Sequence, residues 1–388
     1  MQLGVDSKAL SNEFSRIDAP QRRTLLGMTV AELTELAADF DQPAYRGRQL
    51  FDAIYVQRKA EYSEISNLPR EFRQALADKG FVVGLPRIEN QFVSSDGTIR
   101  YLIGLNDGQT VETVWMPEGD GGETGDGSDD SDAPARNSVH RATICVSSQV
   151  GCAVDCHFCL TALLGVKRNL TAGEIAGQVC AVLNDRKAAL PQARINLVFM
   201  GMGEPFLNYD NFMKAVSLLV NGVGIAESRM TVSTAGIVPR IYDFGQEPVR
   251  PKLAISLNAS NDEMRSRLMP LNRKWDIEKL MAAARAFPLR NREKLTFEYV
   301  LLDQVNDAPQ HARELLELVR GLRVKVNLIA LNPGPGIDFQ TPADDRVLEF
   351  QKILMAGGIA TFIRRPRGRD IYAACGQLKR TVEAGVGS

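Results

Sequence analysis

From about residue 140 the chain settles into a strand-then-helix rhythm. Apolar runs of strand length fall at 142 to 147, 195 to 200, 229 to 234, 252 to 257, 295 to 302 and 325 to 331, and a helical pattern follows each of them. Six such units in series predict an α/β fold whose parallel sheet is rolled into a partial (β/α)6 barrel, because right-handed crossovers keep every helix outside. A flat doubly wound sheet is the alternative. Thr171-Ala172-Gly173-Glu174 is a capping box that opens the first of those helices. A last apolar segment, Ala360 to Ile363, leads into an arginine-rich tail.

Before residue 140 the pattern differs. Thr29-Val30-Ala31-Glu32, another capping box, predicts an amphipathic helix through Leu33, Leu36 and Phe40. A second helix follows Pro43, where Tyr45, Arg46, Arg48, Phe51, Tyr55 and Arg58 interleave basic and aromatic side chains. Such a face suits a nucleic-acid contact. It equally suits a helix whose Leu50, Phe51, Ile54 and Tyr55 pack inward while the arginines stay in water. Residues 98 to 105 alternate apolar and polar, Asn106-Asp107-Gly108 turns the chain, and residues 110 to 116 return. This predicts a β-hairpin with Glu112 on its second strand. The organisation expected is a helical accessory domain over 1–95, a hairpin extension with an insert over 96–139, and the barrel with its tail over 140–388.

Composition refines this picture in three places. With 388 residues and 44% hydrophobic content the chain can bury one large core and a smaller module. Met1 to Arg23 holds no long apolar stretch, so neither a signal peptide nor a membrane span is predicted and a cytoplasmic location is expected. The net charge of -1 hides an asymmetry, because Pro117 to Ala135 carries seven acidic residues and no basic one. Outside that stretch 46 basic residues face 40 acidic ones, a surplus that suits a polyanionic partner. The Gly-, Asp- and Ser-rich run from 117 to 137 has too little apolar surface to offset the entropy of ordering it, and is expected to be a disordered insert without chemistry.

Three of the six cysteines, Cys152, Cys156 and Cys159, stand within eight residues at the spacing C-x3-C-x2-C. Thiolates held this close repel unless a cation neutralises them, so the loop reads as a metal centre. Three thiolates on a four-iron cube leave one iron open to a ligand. A structural zinc ion would need a fourth ligand, and His157 stands at a spacing that zinc ribbons do not use. The other cysteines, Cys145, Cys180 and Cys375, are scattered, unlike a secreted disulfide framework. Cys180 reads as a packed helical side chain, and the same reading is open for Cys145 and Cys375. Arg364, Arg365, Arg367 and Arg369 precede Cys375, however, and neighbouring cations lower a thiol's pKa.

Strand-helix barrels gather their chemistry at the carboxyl ends of the strands, and the unusual residues fall there. The cysteine loop follows the first predicted strand and Gly201-Met202-Gly203-Glu204-Pro205 the second; Ser233-Thr234 ends the third, Ser256-Leu257-Asn258-Ala259 the fourth and Asn332-Pro333-Gly334 the sixth. The glycines of the second loop would let backbone approach a ligand closely, with Glu204 offering a carboxylate.

These motifs resemble the radical S-adenosylmethionine superfamily. The runs Cys145-Val146-Ser147-Ser148-Gln149-Val150, Asn169-Leu170-Thr171 and Tyr372-Ala373-Ala374-Cys375-Gly376-Gln377 resemble one branch more narrowly, the RlmN-type RNA methyltransferases, over most of the chain from about residue 20 except the acidic insert. The resemblance implies a [4Fe-4S] cluster on Cys152, Cys156 and Cys159. It implies S-adenosylmethionine at the open iron, held also by Gly203, Glu204, Ser233, Ser256, Leu257, Asn258 and Asn332, although family members often have His where Asn258 stands. The implied reaction methylates carbon 2 of an adenine in 23S ribosomal RNA, with transfer RNA a further substrate, flavodoxin or a similar one-electron donor, and a monomeric enzyme. Cys375 would take a methyl group and join the RNA covalently, Glu112 would accept the ring proton, and Cys145 would release the product by forming a disulfide with Cys375. The same cysteines would serve a Cfr-type carbon-8 methyltransferase, and a non-catalytic RNA-binding metalloprotein is the reading from another class.

Overall fold

The computed structural model describes residues 23–117 and 141–378; the N-terminal run and nearly all of the acidic insert lie outside the described residues. Two-residue strands Arg23–Thr24 (β1) and Phe81–Val82 (β2) pair with each other. Arg87–Val93 (β3), Ile99–Gly104 (β4), Thr110–Pro117 (β5) and Arg141–Cys145 (β6) follow. Gln149–Gly151 (β7) and Val166–Asn169 (β8) form a small separate ribbon around the cysteine loop. Arg194–Phe199 (β9), Met230–Thr234 (β10), Lys252–Ser256 (β11), Leu295–Leu301 (β12), Val324–Ala330 (β13) and Ala360–Arg364 (β14) complete the set.

One sheet of ten strands runs β14-β13-β12-β11-β10-β9-β6-β5-β4-β3. Every pairing from β6 through β9 to β14 is parallel, so β14 joins the six predicted strands as a seventh. The hairpin is not free-standing. β5 pairs antiparallel with β6 and carries β4 and β3 outward, extending the same sheet. Val111 to Trp115 on β5 are buried at every position, as are Ile99 to Ile103 on β4, so neither strand has the wet face that an alternating pattern implies. The exception that misled the pattern is polar: Arg100 and Glu112 bury their side chains completely by pairing with each other.

Both capping boxes form. Thr29 N–H donates to Glu32 Oε2 at 2.7 Å and Glu32 N–H to Thr29 Oγ1 at 3.3 Å, opening the helix Val30–Ala38. Thr171 N–H donates to Glu174 Oε2 at 2.9 Å and Glu174 N–H to Thr171 Oγ1 at 3.1 Å, opening Ala172–Asp185. That second helix is buried from Ala172 to Leu183 except at Glu174. The N-terminal module packs directly on its first turn, where a Cβ on Gly173 would meet the Leu26 carbonyl oxygen at 2.2 Å.

The basic-aromatic helix, Tyr45–Phe51, runs into a π-helical turn, Asp52–Val56. Leu50, Phe51, Ile54 and Tyr55 are buried, and Tyr55 Oη accepts from Gly27 N–H at 2.7 Å and donates to the Met28 carbonyl at 3.1 Å. Arg48 pairs with Asp52, and Arg58 reaches Asn184 and the Ala188 carbonyl. Inward packing therefore accounts for Leu50, Phe51, Ile54 and Tyr55, while Tyr45, with Arg46 stacked on its ring at 4.8 Å, Arg48 and Val56 stay at the surface. No helix among the described residues is long and apolar enough to cross a membrane.

Arg168 on β8 ties these parts together. Its guanidinium donates to Asp107 in the hairpin turn at 2.7 Å and to both oxygens of Glu174 at 2.8 Å, with side-chain exposures of 5%, 10% and 13% for the three residues. Arg168→Ala would leave two carboxylates nearly buried without their cation. The expected loss of unfolding free energy is about 3–5 kcal/mol in chemical denaturation; a loss under ~1 kcal/mol would mean that solvent screens the bridge.

Candidate active site

The carboxyl ends of β9 to β13 open onto one cavity, and ten of the thirteen predicted site residues line it: Cys152, Cys156, Cys159, Gly203, Glu204, Ser233, Ser256, Asn258, Asn332 and Cys375. The three that do not are Cys145, Glu112 and Leu257. How the chain brings the ten together is a matter of buried polar groups that satisfy one another.

The run after β6 is polar yet buried, because Ser147, Ser148 and Gln149 are bonded to the loop after β9. Ser147 Oγ accepts from Met202 N–H at 2.9 Å and donates to the Glu112 carbonyl at 2.6 Å. The N–H groups of Ser148 and Gln149 donate to the Met202 carbonyl at 2.8 and 3.1 Å. Gln149 Oε1 accepts from Glu204 N–H at 3.0 Å. Such close apposition explains the glycines: a Cβ on Gly203, where φ is +100°, would lie 2.6 Å from Gln149 N, and one on Gly201 would lie 2.8 Å from the Val146 carbonyl. The sequence suggested that these glycines admit a ligand; in the fold they admit the chain's own backbone and also line the cavity.

Glu204 is seated by Ala235 N–H at 2.7 Å and Phe206 N–H at 3.0 Å. Burial still outweighs those donors and pushes its pKa up to about 7. A carboxylate so placed gains from any cation delivered to it. Asn332 donates to the Cys375 carbonyl at 3.3 Å, while its buried Oδ1 has no partner among the described residues, leaving an acceptor that a ligand can fill. Asn258 adopts the left-handed conformation, φ +58°, that Asn tolerates better than most residues. Its Oδ1 accepts from Val300 N–H at 2.9 Å and its Nδ2 points at Met269 Sδ at 3.3 Å, so the amide is committed to the fold. Leu257 is fully buried and uses its N–H on the Glu298 carbonyl at 3.0 Å.

The three clustered thiols share the cavity wall, and burial pushes Cys152 up to about 12 and Cys156 well above the ordinary thiol range, with the charge of Cys159 adding to both rises and that of Cys152 to the second. Ionising them together needs positive charge at their centre. His157 does not supply a fourth ligand: its half-exposed ring faces Asp155 at 3.7 Å and is absent from the cavity wall. Among the described residues no three His, Cys, Asp or Glu side chains converge to hold a single ion. Three thiols spread around one wall, with open space before them, fit a polynuclear cluster, which bridges thiolates too far apart for one ion.

Two residues of this site escaped the sequence reading. Arg265, fully buried on the helix Asp262–Leu268, donates to the carbonyls of Leu257 at 3.1 Å, Ala235 at 2.7 Å and Ser256 at 3.4 Å, gathering the ends of β10 and β11. Desolvation lowers its pKa to about 10, and its charge favours the Cys156 thiolate. Nothing in an ordinary charged helix announced it. Glu298, in the middle of β12, also lines the cavity and accepts from Ser233 Oγ at 2.8 Å. A lone carboxylate inside the run Leu295 to Leu302 was the available signal.

The C-terminal cysteine is clasped to the cluster loop. Leu160 N–H donates to the Gly376 carbonyl at 2.8 Å, Thr161 Oγ1 to the Leu378 carbonyl at 2.7 Å and Gln377 Nε2 to the Pro333 carbonyl at 2.9 Å. Cys375 is exposed as a residue, yet crowding around its sulfur pushes its pKa up; Glu298 adds to the rise and Arg364 opposes it. The preceding arginines thus do not acidify this thiol as the sequence suggested, since loss of water and a facing carboxylate outweigh them. Cys145 is buried at the end of β6, close enough to Cys375 for their charges to interact. All six cysteines are free in this structure, so no disulfide joins these two. Glu112 sits across from them on β5, its carboxylate turned to Arg100 and not to the cavity.

Comparison with known proteins agrees with this geometry. Residues 146–319 match the model of the radical SAM superfamily, whose members use S-adenosylmethionine with a [4Fe-4S] cluster. A probable dual-specificity RNA methyltransferase RlmN of Koribacter versatilis is 64% identical over 340 residues, which are 88% of this chain and 97% of that relative. The dual-specificity RNA methyltransferase RlmN of Syntrophobacter fumaroxidans is 44% identical over 90% of this chain and 96% of its own length. Among solved structures, a radical SAM methyltransferase from Sphaerobacter thermophilus is 42% identical with a TM-score of 0.83, covering 92% of this chain and 100% of that one. The chain is therefore an enzyme, and it belongs to the RlmN family of radical SAM RNA methyltransferases.

Proposed function

We propose that the chain methylates carbon 2 of an adenine in 23S ribosomal RNA and, as the dual-specificity name of its relatives suggests, of an adenine in transfer RNA. The observation that carries this reading is the clasp that sets Cys375 on the same cavity wall as Cys152, Cys156 and Cys159. Carbon 2 lies between two ring nitrogens and is electron-poor, so it cannot attack a sulfonium methyl group as a nitrogen or oxygen nucleophile would. A [4Fe-4S] cluster on Cys152, Cys156 and Cys159 would supply the electron that splits S-adenosylmethionine and so gives the radical that removes an unactivated hydrogen.

The chain's own groups take the remaining work. The Glu204 carboxylate would hold the ammonium group of the cofactor, with Gly203, Ser233, Ser256, Asn258 and Asn332 around the rest and Leu257 shaping the strand end behind them. Cys375 would receive a methyl group, its new S–C bond replacing the sulfonium S–C bond. After that methyl has lost a hydrogen atom, its carbon bonds to carbon 2 and joins RNA to protein. The adduct then gives up the ring proton to Glu112 and one electron, for which the oxidised cluster would be the acceptor. Cys145 thiolate attacks the Cys375 sulfur, the S–S bond forms as the S–C bond breaks, and the released carbon takes a proton to become the product methyl group. For Glu112 this requires its pair with Arg100 to open toward the cavity.

Cys375→Ala should keep iron and sulfide but form no methylated adenine when assayed anaerobically on ribosomal RNA, with the modified atom mapped by mass spectrometry. Methylation at the wild-type level would remove Cys375 from the reaction, and a carbon-8 product from the unsubstituted enzyme would favour the Cfr-type alternative. Cys145→Ala should accumulate a protein-RNA adduct, visible as a slow band on a denaturing gel that ribonuclease collapses. Sustained turnover without that band would assign the release step to another residue.

A further inference from the structure

The methyl-accepting step has a difficulty that the cysteines alone do not resolve. A neutral thiol is a poor nucleophile, and the Cys375 sulfur is held in surroundings that disfavour its thiolate. The charged and titratable groups that face it come from four directions. Arg364 stands on β14, Cys159 on the cluster loop, Cys145 at the end of β6 and Glu298 on β12. Arg364 is a cation, and the two cysteines are thiols with their own assigned roles. Glu298 is the one group of the four suited to take a proton.

Its setting is built for a fixed orientation. Glu298 is 7% exposed, lines the cavity with Cys375, and accepts from Ser233 Oγ at 2.8 Å. Ser233 Oγ in turn lies 3.0 Å from Ser256 Oγ, so the ends of β10 and β11 steer the carboxylate through a short hydroxyl chain. Its own carbonyl is held by Leu257 N–H at 3.0 Å, which fixes the residue along the strand. The Glu298 carboxylate and the Cys375 thiol line one cavity, and both Cys375 and Cys145 feel its charge.

We propose that Glu298 accepts the Cys375 thiol proton as that sulfur takes the methyl group of S-adenosylmethionine. The inference rests on the function proposed above. The Cys375 S–CH3 bond forms and the cofactor's S–CH3 bond breaks, its electron pair staying on the departing sulfur as S-adenosylhomocysteine. The thiol proton passes to Glu298. One carboxylate anion and one sulfonium cation are consumed together, and every product at the site is neutral. Because Glu298 is nearly buried that outcome is favourable, since no charge is left to be solvated.

The test is the rate at which Cys375 gains a deuterated methyl group from methyl-labelled S-adenosylmethionine, read by peptide mass spectrometry on the full chain purified without methyl on Cys375. Glu298→Gln keeps an oxygen for Ser233 and removes the base. Its maximal labelling rate should fall about 100-fold with the half-saturating cofactor concentration little changed, and Glu298→Asp should recover part of the loss. The defect should also shrink as pH rises, because hydroxide then removes the thiol proton, a recovery that a merely misfolded site would not give. If Glu298 acted only through its charge, Glu298→Gln would label faster than wild type. An equal or faster rate overturns the proposal, as does a defect that saturating cofactor repairs, which would make Glu298 a cofactor contact. If wild-type Cys375 gains no label, the proposed function falls and takes this inference with it; if wild type and Glu298→Gln label equally, this inference alone falls.

Discussion

Two hydrogen bonds, from Leu160 N–H to the Gly376 carbonyl and from Thr161 Oγ1 to the Leu378 carbonyl, join the cysteine loop to the last described stretch of the chain. Each contributes only about 1 kcal/mol net. Their effect is positional, because they set a fourth sulfur on the rim of a cavity that three others already line. The long-range cost of bringing residues near 160 and 376 together is met by the barrel, whose strands β6 and β14 deliver the two segments to the same carboxyl-end face. The clasp then fixes the last few ångströms, the range over which sulfur chemistry is decided.

Around that rim the fold collects acids in a place with little water. Glu204, Cys152, Cys156 and Cys375 are all shifted toward their protonated forms, chiefly by desolvation. Arg265 and Arg364 offset this only in part. A cationic cluster and a cofactor carrying an ammonium and a sulfonium reverse the balance, so loading such a site is coupled to proton release. Under the function and the proton acceptor proposed above, the same burial would keep Cys375 a neutral thiol until cofactor and acceptor are both in place.

Much of this was legible along the chain, and the parts that were not share a cause. The parallel strands begin and end within two residues of their apolar runs, and both capping boxes form, because these signals are local. The edge strand β3 and the β7–β8 ribbon both pair through an irregular register, which blurs the alternation that a short window reads. The sequence placed Glu112 on a hairpin strand but gave no sign of its burial, which follows from Arg100 on the neighbouring strand, a pairing set by register. The glycines of the Gly201–Gly203 loop marked a close approach; the chain segment Val146 to Gln149 makes one, and both glycines also line the cavity. Arg265 and Glu298 gain their importance from where two strand ends and a helix meet, so single-sequence spacing carried little trace of them.

The arrangement has its meaning only if the three wall thiols hold a four-iron cube with one iron open to S-adenosylmethionine. Iron and acid-labile sulfide assayed together on anaerobically purified protein decide the matter most directly. About four of each per chain are expected; a single zinc ion with no labile sulfide would contradict the central claim.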